Sequence, residues 1–373
     1  MLAATDKMDY IIRVLNVLGI DVHVVSASVT GKSQGYAGST RCLGHGNTLT
    51  LFRTLPWGGK ARRVASVLWG RWMLLFWLLR NVHRDDDVIV YHSLGYSRVI
   101  AFARWLRQFR LILEVEEIYA DVTERSSDLR KETSLFRQAD AFIFPTELLN
   151  HRLNRDGRPY VIVHGTYDVE SVREAPRTDS RIHVVYAGTL DPRKGGALAA
   201  AAAAEYLDDR FYIHIIGSGT KADTEALLRV IAEVSPKSQC RVTYDGLMAG
   251  EDYVRFLQSC DIGLSTQRSD AAFNETSFPS KVLSYLANGL RVVSIRLKVL
   301  EESGVADLLH YYDSDDPSAL AAAIRAVDLS APYDSRARLR QLDCEFRAAL
   351  GELLSCDTFQ DVSGRTHEVG VVR

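Results

Sequence analysis

The chain has 373 residues, room for about two domains of ordinary size. With 47% hydrophobic and 25% charged residues it reads as a soluble globular protein with a large core, so no disulfide staple is needed. Its five cysteines (Cys42, Cys240, Cys260, Cys344 and Cys356) show no CxxC spacing, which argues against a zinc site or disulfide framework and fits a reducing cytoplasm. The net charge of −2 hides an asymmetry: between Asp21 and Asp85 there is no acidic residue but nine Lys or Arg. One-sided charge of this kind attracts an acidic ligand or an anionic membrane face, unless acids elsewhere in the fold balance it.

No signal peptide opens the chain. Residues 7 to 18 predict a helix with Ile11, Val14, Leu15 and Leu18 on one face, stopped by Gly19. Residues 22 to 28 predict a β-branched strand. Residues 29 to 60 read as a long loop with one short strand, TLTLFR. VASVLWGRWMLLFWLLRNV, residues 64 to 82, is apolar but interrupted by Arg71. It suits a helix buried in the fold, or one lying on a membrane surface, burial being favoured. Asp85, Asp86 and Asp87 precede the strand VIVYHS and read as solvated. A helix from Ser97 to Gln108 follows, then the strands LILEVEEIY, DAFIFPT and YVIVHGTYD.

Residues 169 to 181 are polar and aperiodic, as a linker would be. The alternation then restarts with RIHVVYAG, an Ala-rich helix, FYIHIIGSG, TEALLRVIAEV, CRVTYDG, EDYVRFLQSC, DIGLSTQ, FPSKVLSYLANG, RVVSIRL and LLHYYDS. Such alternation predicts an α/β fold, with parallel sheets covered on both faces. The expected domains are 1–168, a linker over 169–181, 182–333, a closing helix 334–355 and a mobile tail 356–373 without core pattern. A doubly wound domain normally opens on a strand, whereas this chain opens on a helix. The first strand is therefore expected to be missing, or to lie upstream of the given start.

Ligands of open parallel sheets bind beyond the carboxyl ends of the strands. In the second half these ends read AGTLDPRKGG, IGSGT, DGLMAG and LSTQRSDAAFNETSFPSK, all rich in Gly, Ser, Thr or Lys. Gly188 and Thr189 allow close backbone approach, and Arg193 and Lys194 open the next helix, as a diphosphate clamp or as an ordinary βα turn. Gly217 lies in a GSG turn, which is weak by itself. Neither a GxGxxG at the first βα turn of this half nor a P-loop is present. Phe278 and Pro279 shape a turn, Ser280 can cap or meet phosphate, and Lys281 sits on the first helical turn. A helix start already favours anions, so a lysine there points to an anion nearby.

AGTLDPRKGG, IIGSGT and NETSFPSKVLSYLANGLRVVS, in that order, resemble the C-terminal domain of GT-B glycosyltransferases of the family-4 type, glycosyl transferases group 1. The resemblance covers 181 to 330 well. It is looser over YHSLGYSRVI, LEVEEIYAD and VIVHGTYD, which look like enzymes of bacterial surface polysaccharide synthesis. It implies two Rossmann-like doubly wound domains facing a cleft, with a C-terminal helix packing back toward the N-terminal domain. It also implies a cytoplasmic retaining transferase, free or peripheral on the inner membrane face, using a UDP- or GDP-sugar as substrate without cofactor or metal.

By the same resemblance Gly188, Thr189 and Lys194 face the donor diphosphate. Ser280, Lys281 and Val282 hold it too, with Arg193, Gly217, Phe278 and Pro279 around it. Leu247 lies near the base, and Glu275 to Ser277 hold sugar hydroxyls. His92 stands beside the donor sugar and Glu117 on the acceptor side; each also has a bland reading, a strand-end histidine and one member of a surface cluster with Glu114 and Glu116. Ser284 stands where many members carry a ribose-binding glutamate, and Thr189 where many carry arginine. The acceptor would be a glycan or lipid-linked glycan, with anionic membrane contact through residues 53–84 and no nucleic acid. A nucleotide-sugar hydrolase or epimerase, and a non-catalytic partner protein, are the alternatives.

Overall fold

The computed structural model describes residues 2–27, 34–56, 58–91, 94–118, 132–173, 179–193, 196–268, 272–355 and 368–372. Two compact units emerge, Met1–Val163 with Phe346–Arg373, and His164–Glu345. The helix Ser335–Ser355 thus begins in the second unit and ends in the first.

The first unit is built on β1 (Asp21–Ser26), β2 (Ser39–Gly44), β3 (Asn47–Leu51), β4 (Asp87–Tyr91), β5 (Arg110–Glu114), β6 (Ala141–Phe144), β7 (Tyr160–Ile162) and β14 (Glu368–Val372). They form one sheet in the order β2-β3-β1-β14-β4-β5-β6-β7. All neighbours pair parallel except the edge pair β2 and β3. The stretch 29–60, expected to hold one short strand, therefore holds a hairpin. His45 (φ 52) and Gly46 (φ 79) are both left-handed at its turn, the geometry that two-residue hairpin loops need. Helices α1 (Leu2–Val17), α2 (Lys60–Asn81) and α3 (Ser97–Arg107) cover the sheet. Ile11, Val14 and Leu15 of α1 are buried, as their spacing predicts, and Tyr10 with them; Leu18, expected on the same face, lies just past the helix end and is 36% exposed.

The tail differs from expectation. Residues 356–367 lie outside the described residues, but 368–372 form β14 in the middle of the sheet, parallel to β1 and β4. Val371 is level with Val24 on one side and Ile89 on the other. β14 stands between β1 and β4, at the centre of the sheet. Its five residues, EVGVV, are mostly β-branched, but too few to show a period against a polar background.

The second unit holds β8 (Ile182–Thr189), β9 (Phe211–Ser218), β10 (Arg241–Gly246), β11 (Ile262–Ser265), β12 (Arg291–Ile295) and β13 (Leu309–Tyr312). The order β10-β9-β8-β11-β12-β13 is wholly parallel. Local signals mark the helices well. Thr220 and Asp223 form a reciprocal capping box, Asp316 caps a helix with proline at its start, and Gly289 (φ 85) ends the helix Ser280–Asn288. Strand order reverses between β8 and β11, and a crevice for ligand opens at such a switch point.

Candidate functional site

Strands β8 and β11 pair only at Val184 with Ile262 and Val185 with Gly263. Beyond that the two diverge, and the helix Ser280–Asn288 closes the gap from one side. Its Tyr285 hydroxyl accepts from Ala187 N at 2.8 Å and donates to Leu264 O at 3.2 Å, joining the strands just before their ends. Gly263 makes room for that ring, since a Cβ there would come within 2.4 Å of it. No motif or spacing singled out Tyr285; its hydroxyl bridge needs the pairing of both strands to be seen. Across the gap the βα loop is held down at Gly196, where a Cβ would meet Thr266 O at 1.6 Å, and Thr266 Oγ1 donates to Gly196 O at 3.0 Å.

The same helix carries Ser280 and Lys281 on its first turn. Pro279 is its N-cap and no side chain caps it; Val282 N–H turns back onto Pro279 O at 3.0 Å, which leaves the Ser280 and Lys281 N–H groups without a capping side chain. Lys281 Nζ lies 4.1 Å from the centre of the Tyr186 ring. A Cβ on Gly188 would stand 3.2 Å from that nitrogen, so Gly188 is small where the cation needs space. Among the described residues no carboxylate or carbonyl pairs with Lys281. Burial alone pushes its amine down to about 7. Val282 is fully buried, as are Leu283 and Leu286, so Val282 can contribute only its backbone to a ligand.

Other expected donor residues gather at these strand ends. Thr189 is exposed; its carbonyl accepts from Tyr186 Oη and its hydroxyl from Asp191 N. Arg193 is exposed too and forks onto Asp191, with Nη2 2.8 Å from Oδ2. Gly217 (φ 139) lies level with Gly188, and a Cβ on it would sit 1.8 Å from Gly188 O. Its glycine therefore serves strand-to-strand approach. Leu247 follows β10 and is 70% exposed, an apolar side chain free to cover a base. Phe278 stacks on His164 at 4.6 Å, which fixes the approach to Pro279. Ser277 Oγ is buried without a hydrogen-bond partner, and Glu275 is exposed nearby. Ser284 is engaged by Tyr253, hydroxyl to hydroxyl at 3.1 Å. Lys194 and His92 lie outside the described residues. No cluster of three or more His, Cys, Asp or Glu that could hold a metal occurs among the described residues.

Residues 181–327 match the protein family described as Glycosyl transferases group 1. The solved structures add the whole chain. A trehalose 6-phosphate synthase from Burkholderia multivorans aligns with TM-score 0.58 and 14% identity over 93% of this chain and 99% of its own. HepE of Anabaena, in complex with UDP, aligns with TM-score 0.60 and 14% identity over 92% and 100%. An E. coli protein bound to UDP-2-fluoro glucose gives TM-score 0.60 and 13% identity over 92% and 99%. The chain has the GT-B fold. No curated protein matches it closely enough to count as a relative.

In the first unit of this GT-B chain, Glu117 follows β5 and is partly buried. Its neighbour Glu114 was expected in a surface cluster; it is instead 2% exposed, because it ends a strand whose other residues are buried on both faces. Lys7 of α1, itself 3% exposed, pairs with Glu116 and stands 4.0 Å from Glu114 Oε1. Burial pushes the Glu114 carboxyl up to about 8, against the pull of Lys7 and with the push of Glu116. A carboxyl raised on folding stabilises fully below its unfolded value near 4.5, and that contribution is lost as pH rises through about 8. Glu114→Gln keeps the shape and cannot ionise. Its stability relative to the unsubstituted protein is expected to climb between those two values, by about 1.4 kcal/mol per pH unit, and its relative melting temperature with it. Thermal melts across a pH series check this; a pH-independent difference would show that Glu114 is ionised in the fold.

Proposed function

We propose that the protein transfers a sugar from a nucleoside diphosphate sugar, UDP- or GDP-linked, to a glycan or lipid-linked glycan acceptor, with retention at the anomeric carbon. The observation that carries this is Lys281: a partly buried cation, with no carboxylate partner among the described residues, at the uncapped start of the Ser280–Asn288 helix, beside Gly188. The second half matches a glycosyltransferase family, and two structures of similar fold hold UDP or a UDP-sugar, which makes UDP the first nucleotide to test.

The chemistry follows from charge. As the glycosidic bond breaks, negative charge collects on the leaving diphosphate, and fixed donors aimed at it lower the barrier. Lys281 and the helix N–H groups supply such donors without a metal; Lys194 and Arg193 would add to them. Ser277 and Glu275 would take sugar hydroxyls, the role that the buried, unpartnered Ser277 Oγ suits. His92 would stand beside the donor sugar and Glu117 would orient the acceptor hydroxyl. No helix among the described residues is long and apolar enough to cross a membrane. A lipid-linked acceptor, as in cell-surface polysaccharide synthesis, would therefore be met by a peripheral protein on the inner membrane face.

The test is a thermal-shift screen of UDP, GDP and dTDP with their sugars, followed by turnover with and without acceptor. UDP or GDP is expected to raise the melting temperature by several degrees, and the product anomer to match the donor's. Hydrolysis at full rate without acceptor would make the protein a nucleotide-sugar hydrolase. One feature favours a second reading, a non-catalytic GT-B partner protein: Ser284, tied to Tyr253, leaves no carboxylate for the ribose. Absence of any nucleotide shift would decide for it.

A further inference from the structure

Half of the exposed large apolar side chains among the described residues stand on α2 and α3. Position on the helix explains why they are exposed. In α2, Ser66, Gly70, Leu74 and Leu78 recur every four residues and are buried. Leu68, Trp72 and Phe76 recur with the same spacing two residues out of step, hence on the opposite face. Trp72 is 69% and Phe76 65% exposed. In α3, Ile100 and Ala103 point inward, while Phe102 and Trp105 are 48% and 72% exposed with their rings 6.0 Å apart. Leu74, Leu78, Ile100 and Ala103 share one core cluster with strands β4 and β5, so both helices cover the same side of the sheet. Their outer faces make one continuous surface.

That surface is cationic. The two helices contain Lys60, Arg62, Arg63, Arg71, Arg80, Arg98, Arg104 and Arg107, and not one carboxylate. Arg104 is held by Asp140 at 2.5 Å and Arg71 donates to Gly95 O at 3.0 Å; Lys60, Arg62, Arg80 and Arg98 are exposed.

We infer that the outer face of α2 and α3 docks flat on an anionic bilayer. Charge decides the occupant. A second copy meeting this face across a two-fold axis would set cations against cations around each aromatic contact. A bilayer instead offers headgroup phosphates to the Arg and Lys and an interfacial layer to the Trp and Phe rings, which sit where one end is apolar and the other wet. Each basic residue near such a surface strengthens binding roughly fivefold, an effect screened by salt. This extends the membrane-facing part of the proposed function but rests on the helix face alone, so it stands or falls separately from donor turnover.

The test is flotation of the full chain with vesicles of phosphatidylcholine, alone or with about a third phosphatidylglycerol, at low and high salt. All five tryptophans lie between residues 57 and 105, so intrinsic emission reads this region directly. Binding to the anionic vesicles, a blue shift of emission and weakening with salt are expected. Trp72→Glu with Trp105→Glu is expected to cut binding at least tenfold, and Arg62→Glu with Arg98→Glu similarly, with melting temperature and nucleotide shift unchanged. Equal binding to neutral vesicles, no vesicle binding, or binding that survives both double variants would overturn the inference. So would a dimer in gel filtration that the Trp72 and Trp105 changes dissociate, or binding to an acidic polypeptide such as polyglutamate as tight as to vesicles.

Discussion

Val371→Pro is expected to destabilise the first unit strongly and leave the stability of the second unchanged. β14 is paired on both sides, and Val371 lies level with Val24 of β1 and Ile89 of β4. Every backbone N–H in such a strand is engaged, and proline removes one and pushes its ring into the ladder. The cost of about 3 kcal/mol or more is a large part of the roughly 5–15 kcal/mol that holds a domain. The sheet would also divide at its middle, between β1 and β4, where no other strand can pair. Urea unfolding followed by tryptophan emission reads the first unit alone, because all five tryptophans lie in it. The variant's emission midpoint is expected to fall well below that of the unsubstituted protein, while the nucleotide-induced shift of the second unit persists. An unchanged emission midpoint would remove β14 from the sheet.

This strand also marks where reading the sequence stops. Signals that are local were legible. Alternating β-branched strands and helices marked both sheets, and glycines after strands marked the carboxyl edge of the second. Lys281 and Gly289 marked the first turn and the left-handed end of a helix, whereas Ser280, a possible cap by sequence, stands inside the helix and caps nothing. Interactions between distant segments were not legible. β14 is only five residues long, and its partners lie far away in sequence. Tyr285 looks like any core aromatic until β8 and β11 are seen to diverge beneath its hydroxyl. Gly217 lay in a GSG turn that was a weak signal by itself; the Gly188 carbonyl is what forbids a side chain there. Glu114 sits in the acidic run EVEE and read as solvated; only the burial of β5 on both faces puts it out of water.

Lys281→Met is expected to make the protein both more stable and unable to hold its nucleotide. Burial lowers the Lys281 amine from 10.5 to about 7, so the folded protein binds that proton less well than the unfolded chain. A lysine depressed in this way destabilises fully below about 7, and the penalty fades as pH rises toward 10.5. Methionine keeps the apolar stem and removes the charge, so its gain in melting temperature should be largest below pH 7 and vanish near 10.5. Binding moves the other way. A diphosphate gives the ammonium the partner it lacks, and removing one side of such a pair costs about 3 kcal/mol, roughly a hundredfold in affinity. Because the free amine titrates near 7, UDP must bring a proton with it at higher pH, and its affinity should fall by up to about tenfold per unit above 7. Calorimetry in buffers of different ionisation heat measures that proton uptake. The unsubstituted protein is expected to show it and Lys281→Met to lose it along with the pH slope. If the methionine variant binds UDP as tightly as before and keeps the slope, the cation at this helix start serves another anion.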